Sequence, residues 1–208
     1  MMRAMLLVFA AAMLAACAST SKPTNQVQAD LPVAKGTAQA GDGNAVTFKG
    51  NKLALAGQAI EIGKPLPSAV VSGPDLKPVN LADSSGKVRI ISVVPSLDTP
   101  VCEAQTHELS EDGAHDPQIE LITVSMDLPF AQSRFAKEAK ISNVKFVSDY
   151  KEHQFGNNNG LLIQPLGLLA RAVIVTDKDN IVRYVQVVPE ITALPDMQQA
   201  MTVAHGLL

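Results

Sequence analysis

One thiol in this chain stands among residues that could put it to work: Cys102, at the end of the run VVPSLDTPVC over Val93–Cys102. The run leaves an apolar segment, passes Pro95, Asp98 and Thr99, and delivers the cysteine just after Pro100, where a helix is expected to begin. In the first turn of a helix a sulfur lies beside backbone N–H groups without intrahelical acceptors and beside the positive end of the helix dipole. Both favour the thiolate, which is the nucleophilic form. Thr99 sets a hydroxyl where it can donate to the sulfur or to an oxygen bound next to it. Pro95 and Pro100 have no N–H and stiffen the loop, so the sulfur can be screened from water without stranding donors. The chemistry these residue types serve is attack by sulfur on an electrophilic atom. A lone cysteine without such neighbours reads more readily as a small, inert, buried hydrophobe.

The elements that must hold this run are legible on both sides of it. Lys87–Pro95, KVRIISVVP, is β-branched and uncharged after Arg89, the pattern of a strand buried on both faces. Thr99 to Asp112 reads as the following helix, and IELITVSM with PFAQSRFAKEAK repeats the strand–helix unit. VKFVSD is a further strand, ARAVIVTD and IVRYVQVV form a hairpin about Lys178-Asp179-Asn180, and LPDMQQAMTVAHGL closes as a helix. Upstream, VTFKGNKLALAG predicts a hairpin around Gly50-Asn51, followed by short extended pieces in AIEIGKPLP, SAVVS and KPVNLA. Strands alternating with helices, then a terminal hairpin and helix, predict an α/β domain with a mixed sheet over residues 45–208. Asp98 is expected to cap the first helix, Ser125 and Asp127 to mark a strand end and the next helix cap, and Asn157–Gly160 to form a turn.

The first residues, MMRAMLLVFAAAMLAA, combine one arginine, an apolar core and small residues ahead of Cys17, the layout of an export signal. The apolar run is shorter than the roughly 20 residues of a spanning helix. Leu14-Ala15-Ala16-Cys17 resembles the lipobox of bacterial lipoproteins, in which the cysteine carries lipid and becomes the first residue of the mature chain; an ordinary secretory signal is the alternative. Residues 1–17 are therefore expected to be signal and lipidation site. The chain is expected at the periplasmic side of the cell envelope, held by a lipid anchor to the outer membrane. Residues 18–44, rich in Ser, Thr, Gln, Ala and Gly, read as a flexible tether with a root-mean-square reach of roughly 30 Å. With Cys17 modified, Cys102 is the only thiol left, which is unusual in a compartment that oxidises thiols into pairs.

Composition narrows the classes further. The chain has 208 residues, 47% hydrophobic, which fits one well-filled domain with extensions. A net charge of -3 with 18% charged residues leaves no basic stripe, so nucleic acid is excluded as a partner. His107, His115, His153 and His205 are scattered without metal-ligand spacing, and neither a metal nor another cofactor is expected.

The spacing Pro-x-x-x-Thr-x-x-Cys over Pro95–Cys102 resembles the active-site signature of the peroxiredoxins. The segments VTFKGNKLALAG, VRIISVVPSLDTPVCEAQT, TVSMDLPFAQSRF, LLARAVIVTD and VVPEIT are similar, in the same order, to segments of the thiol peroxidase branch of that family, from Ala45 to the C-terminus. The resemblance implies a thioredoxin-like fold with an N-terminal β-hairpin and a mixed central sheet flanked by helices. It also implies a homodimer, a peroxidatic Cys102 with Thr99 and Pro95 shaping its pocket, and an active-site arginine at Arg171. Taken from the residues alone, Arg171 is either a solvated surface charge, a structural ion pair, or a cation partly buried by its apolar flanks and in need of an anionic partner. The implied reaction is attack on the O–O bond of hydrogen peroxide or an organic or lipid hydroperoxide, leaving a sulfenic acid on Cys102.

Two positions depart from the branch. Ala136 stands after Arg134-Phe135 where a resolving cysteine is usual, and Ala69 lies near where an aromatic is common. Without the second cysteine the sulfenic acid must meet an external thiol, the cysteine of another protein such as a thioredoxin-like reductant, or Cys102 of a second molecule. Two readings follow: a membrane-tethered, one-cysteine peroxidase, or a redox sensor or thiol-binding module that uses Cys102 stoichiometrically.

Overall fold

The computed structural model describes residues 31–83, 86–113 and 116–208. The signal-like segment, Cys17, the first part of the expected tether and His115 lie outside the described residues. Along the chain come β1 (Ala45–Phe48), β2 (Asn51–Ala56), β3 (Val70–Ser72), β4 (Pro78–Asn80), β5 (Val88–Val93) and α1 (Pro100–Asp112). β6 (Ile119–Ser125), α2 (Pro129–Ala139), β7 (Val144–Ser148), α3 (Gln154–Asn158), β8 (Leu162–Ile163) and β9 (Leu168–Leu169) follow. β10 (Ala172–Thr176), β11 (Val182–Val187) and α4 (Met197–His205) complete the described chain.

The main sheet has the order β11-β10-β5-β6-β7-β3-β4. β5, β6 and β7 are parallel, joined by the helical crossovers α1 and α2, whereas β10 runs antiparallel to β5. β5 is buried from end to end because successive side chains enter two different cores. Val88 and Ile90 pack on the helical side with Cys102, Leu109, Val173 and Met201. Ile91 and Val93 pack on the other side with Val46, Leu55, Phe155 and Ile163, under a second sheet of order β1-β2-β8-β9. The mixed sheet expected from the strand–helix alternation is present. Its register sets Ala172 opposite Val93, so the residue just before β10 arrives at the end of β5 from which α1 departs.

Local differences from the expectations have identifiable causes. The first hairpin turns at Lys49-Gly50, both at positive φ, +50° and +79°, as a two-residue turn matching strand twist requires, and Asn51 pairs with Phe48 inside the ladder. AIEIGKPLP forms no strand, only an isolated bridge between Pro65 and Ile181, since its prolines bring no N–H to a ladder. Asn157 and Asn158 end α3, and the turn begins after them. β8 and β9 have two residues each, too few to show a period.

The expected tether is the larger correction. Well before residue 44 the chain lies on the domain: Ala34 N–H donates to Leu194 O and Ala38 N–H to Val187 O, both at 2.8 Å. Thr37 Oγ1 accepts from Val187 N at 2.9 Å. β11 is an edge strand whose outward backbone groups need partners, and this segment supplies them. Among the described residues no helix is long and apolar enough to cross a membrane.

Candidate active site

α1 starts at Pro100, for which the lack of an N–H costs nothing at this position, and Thr99 is its extended N-cap residue at φ -135°, ψ 144°. Glu103 N–H closes the first turn on Thr99 O at 3.0 Å. Cys102 thus sits in that turn, where its N–H has no intrahelical acceptor. Thr106 Oγ1 donates to Cys102 O at 2.8 Å, tightening the turn behind it. The Thr99 hydroxyl donates to Ser96 O at 3.2 Å and makes no side-chain cap. Asp98 does not cap the helix either; it is exposed, and its N–H donates to Ser96 Oγ at 3.3 Å.

Pro95 is buried in this loop, and the loop is fastened from outside by Asp127. Asp127 Oδ2 accepts from Leu97 N–H at 2.7 Å and Oδ1 from Ser96 Oγ at 2.8 Å. The cap expected of Asp127 on α2 is therefore absent: Leu128 holds that position with no side-chain bond, and the carboxylate serves the Cys102 loop instead. Ser125 does end β6, as expected, and its hydroxyl oxygen accepts from Gln132 Nε2 at 3.0 Å.

Cys102 is fully buried and Arg171 is 2% exposed. The guanidinium meets three groups: Nη2 donates to Cys102 Sγ at 3.3 Å, Nη1 to Gln105 Oε1 at 2.6 Å, and Nε to Ile191 O at 2.9 Å. The apolar flanks of Arg171 thus correspond to real burial. A guanidinium this deep needs a full set of acceptors, preferably one with charge. Of its three partners only the sulfur can become an anion. Gln105 is itself fully buried and orients the fork, with Nε2 donating to Ser92 Oγ at 2.8 Å. An open groove of about 390 Å³ runs against the same loop, lined by Leu97, Asp98, Thr99, Pro100, Phe135 and Glu138.

Gln105 and Asp127 were missed as site residues. Gln105 was findable, since it lies one helical turn beyond Cys102 on the same face. Asp127 carries no comparable signal. Ala136 is half-buried on α2 against the cluster that contains Cys102, and Ala69 is fully buried in the opposite core. His107 lies 3.9 Å from Glu103, His205 lies 3.4 Å from Asp116, and His153 precedes α3. Among the described residues no group of acidic, histidine or cysteine side chains is placed to hold a metal.

A family model described as Redoxin matches residues 61–201, a span that contains Cys102, Arg171 and the partners of both. The chain belongs to the redoxin family. Within that family it falls among the thiol peroxidases, enzymes of the peroxiredoxin type. The redoxin is 45% identical over 163 residues to a thiol peroxidase of Halalkalibacterium halodurans, covering 78% of this chain and 98% of that one. It is 45% identical over 156 residues to a thiol peroxidase of Staphylococcus aureus, covering 75% and 94%. Among solved structures, a peroxiredoxin-like protein from Aquifex aeolicus superposes with a TM-score of 0.76 at 38% identity, over 83% of the redoxin and 100% of that chain. The thioredoxin-like α/β fold with a mixed central sheet is therefore established.

Proposed function

We propose that this redoxin reduces hydroperoxides at Cys102 and is returned to its starting state by a thiol from outside the chain. The observation that carries the proposal is the buried guanidinium of Arg171, 3.3 Å from Cys102 Sγ in the first turn of α1. The Cys102 thiolate attacks one peroxide oxygen; the S–O bond forms as the O–O bond breaks. The departing oxygen takes a proton and leaves as water or an alcohol, and the sulfur becomes a sulfenic acid. Negative charge moves from sulfur to oxygen in this step, and Arg171 and the Cys102 N–H are the donors placed to receive it, while the Thr99 hydroxyl is committed to Ser96 O and holds the turn. Reduction then takes two external thiols. The first attacks the sulfenic sulfur, expels water and leaves a mixed disulfide; the second releases Cys102 and carries away the disulfide. Ala136 offers no sulfur for an internal bond, and Cys102 is the free cysteine among the described residues.

Hydrogen peroxide mixed with the full chain should be consumed rapidly in one equivalent without thiol, and continuously once a small thiol or a thioredoxin-like donor is added. Absence of a fast first equivalent refutes peroxide chemistry at Cys102. One equivalent and no more with every thiol tried leaves a stoichiometric sensor.

The proposal includes an anchor. Cys17 carries lipid and holds the redoxin to the outer membrane on its periplasmic side, where hydroperoxides of neighbouring lipids are at high local concentration. The support is the lipobox-like Leu14–Cys17. Expressed in an envelope-bearing host, the chain should partition with membranes, and Cys17→Ser should move it to the soluble fraction. Equal partitioning of the two forms counts against the anchor.

A further inference from the structure

We propose that Glu190 is a positioning residue for the peroxidase reaction, fixing the loop whose carbonyl holds Arg171 against Cys102. This inference rests on the reading of Cys102 and Arg171 as the reactive pair. Glu190 belongs to the segment VVPEIT, between β11 and α4, and touches neither of those side chains.

Its carboxylate gathers donors from two separate parts of the chain. Oε2 accepts from Thr47 Oγ1 at 2.8 Å and Gly50 N–H at 3.1 Å. Oε1 accepts from Lys49 N–H at 3.0 Å, Thr192 Oγ1 at 2.9 Å and Thr192 N–H at 3.3 Å. The tight turn between β1 and β2 presents the Lys49 and Gly50 N–H groups side by side, as two successive positive φ values allow, and such a concavity takes an anion. Burial pushes the carboxyl upward, but the bonds from Gly50, Lys49, Thr47 and Thr192 outweigh it and hold the pKa down to about 2. Glu190 is thus an anion throughout the range in which a thiolate can react.

The next residue carries the consequence. Ile191 N–H donates to Thr47 O at 2.9 Å, and Ile191 O accepts from Arg171 Nε at 2.9 Å. Thr47 N–H in turn donates to Pro189 O at 2.7 Å, and Val188 N–H to Arg171 O at 2.9 Å. Residues 188–192 therefore grip Arg171 by its backbone on one side and its guanidinium on the other, and Glu190 ties that grip to the β1–β2 turn. A misplacement of about 1 Å in a group that stabilises a transition state costs up to ~100-fold in rate. Glutamine at this position would turn an amide donor toward a backbone N–H whichever way it is oriented, that of Gly50 on one side or those of Lys49 and Thr192 on the other. Glu190 is half-buried and belongs to neither hydrophobic core, so its replacement removes no core side chain.

The test is a double-mutant cycle on the full chain, reading the rate of the first oxidation of Cys102 by hydrogen peroxide, with thermal unfolding recorded alongside. Glu190→Gln should slow that oxidation about tenfold. In an Arg171→Met background the same change should cost nothing further, because the group it positions is gone. A wild-type rate in folded Glu190→Gln overturns the proposal, and so does an equal loss in both backgrounds. If Glu190→Gln does not fold, Thr47→Val removes one donor and takes its place in the same cycle, with an expected loss of about threefold. A wild-type rate in Arg171→Met alone brings down the underlying pair, and this inference with it.

Discussion

Replacing Arg171 by methionine is expected to slow the first oxidation of Cys102 by about two to three orders of magnitude, the usual effect of deleting one donor from a preorganised oxyanion site. The side chain keeps its apolar stem and loses the cation that touches the sulfur. Charge leaves the sulfur for a peroxide oxygen in this step, so a guanidinium beside the reacting atoms matters more in the transition state than before it. The loss also leaves Gln105 Oε1 and Ile191 O without their donors, at about 1–3 kcal/mol for each buried group left unsatisfied, so the variant should melt earlier yet still fold. Thr99→Val belongs in the same series with a smaller loss, about tenfold, and Thr99→Ser should restore the rate because it keeps the hydroxyl that closes the turn on Ser96 O. The chain has no tryptophan, so the rate is best followed by rapid quenching and mass measurement of a trapped sulfenic acid. Wild-type rates in both Arg171→Met and Thr99→Val would falsify the pocket.

The second large effect is expected at Gln105. Leucine there matches the volume of glutamine but removes the acceptor of Arg171 Nη1 and the donor to Ser92 Oγ, Val93 O and Ala172 O. A buried guanidinium nitrogen without an acceptor is the costly part, and a stability loss of about 3 kcal/mol follows, a fall in melting temperature of roughly 6–12 °C for a domain of this size. The first oxidation should slow about tenfold as well, because the fork that aims Nη2 at sulfur is freed on one side. Gln105→Glu separates the two consequences. A carboxylate restores the acceptor but sets its second oxygen against Val93 O and Ala172 O, so only part of the melting temperature returns, and it competes with the thiolate for the guanidinium, so the rate stays low. Recovery of both quantities in Gln105→Glu would show that Gln105 acts on the fold alone.

Much of the site was legible because it is local. Pro95, Thr99, Pro100 and Cys102 lie within one loop and one helical turn, and the start of that turn is set by a proline without an N–H and by the end of an apolar β-branched run. The Cys102 loop could therefore be read as a nucleophile's setting before any partner was known. The apolar flanks of Arg171 pointed to partial burial but left a solvated surface charge equally open, and the strand that follows it, buried throughout, decides between them.

The contacts themselves could not be read: the resemblance set Arg171 in the active site but did not show which acceptors its guanidinium meets. Arg171 reaches Cys102 across 69 positions and Gln105 across 66, and those distances close only because β10 lies antiparallel to β5 with Ala172 opposite Val93. A shift of one residue would turn every side chain of β10 to the opposite face. Asp127 and Glu190 are ordinary acidic residues in the chain. They acquire their tasks because the β6–α2 connection meets the Cys102 loop and because the β1–β2 turn meets the loop after β11. The docked segment from Ala34 to Asn44 reads as a tether by composition, and becomes part of the domain because β11 is left with an open edge. Composition and short-range pattern set where backbone elements begin and which residues must leave water, for these depend on neighbours along the chain. Which acceptor a buried donor finds depends on sheet order and register, so the tertiary structure alone decided that Arg171 meets the sulfur of VVPSLDTPVC.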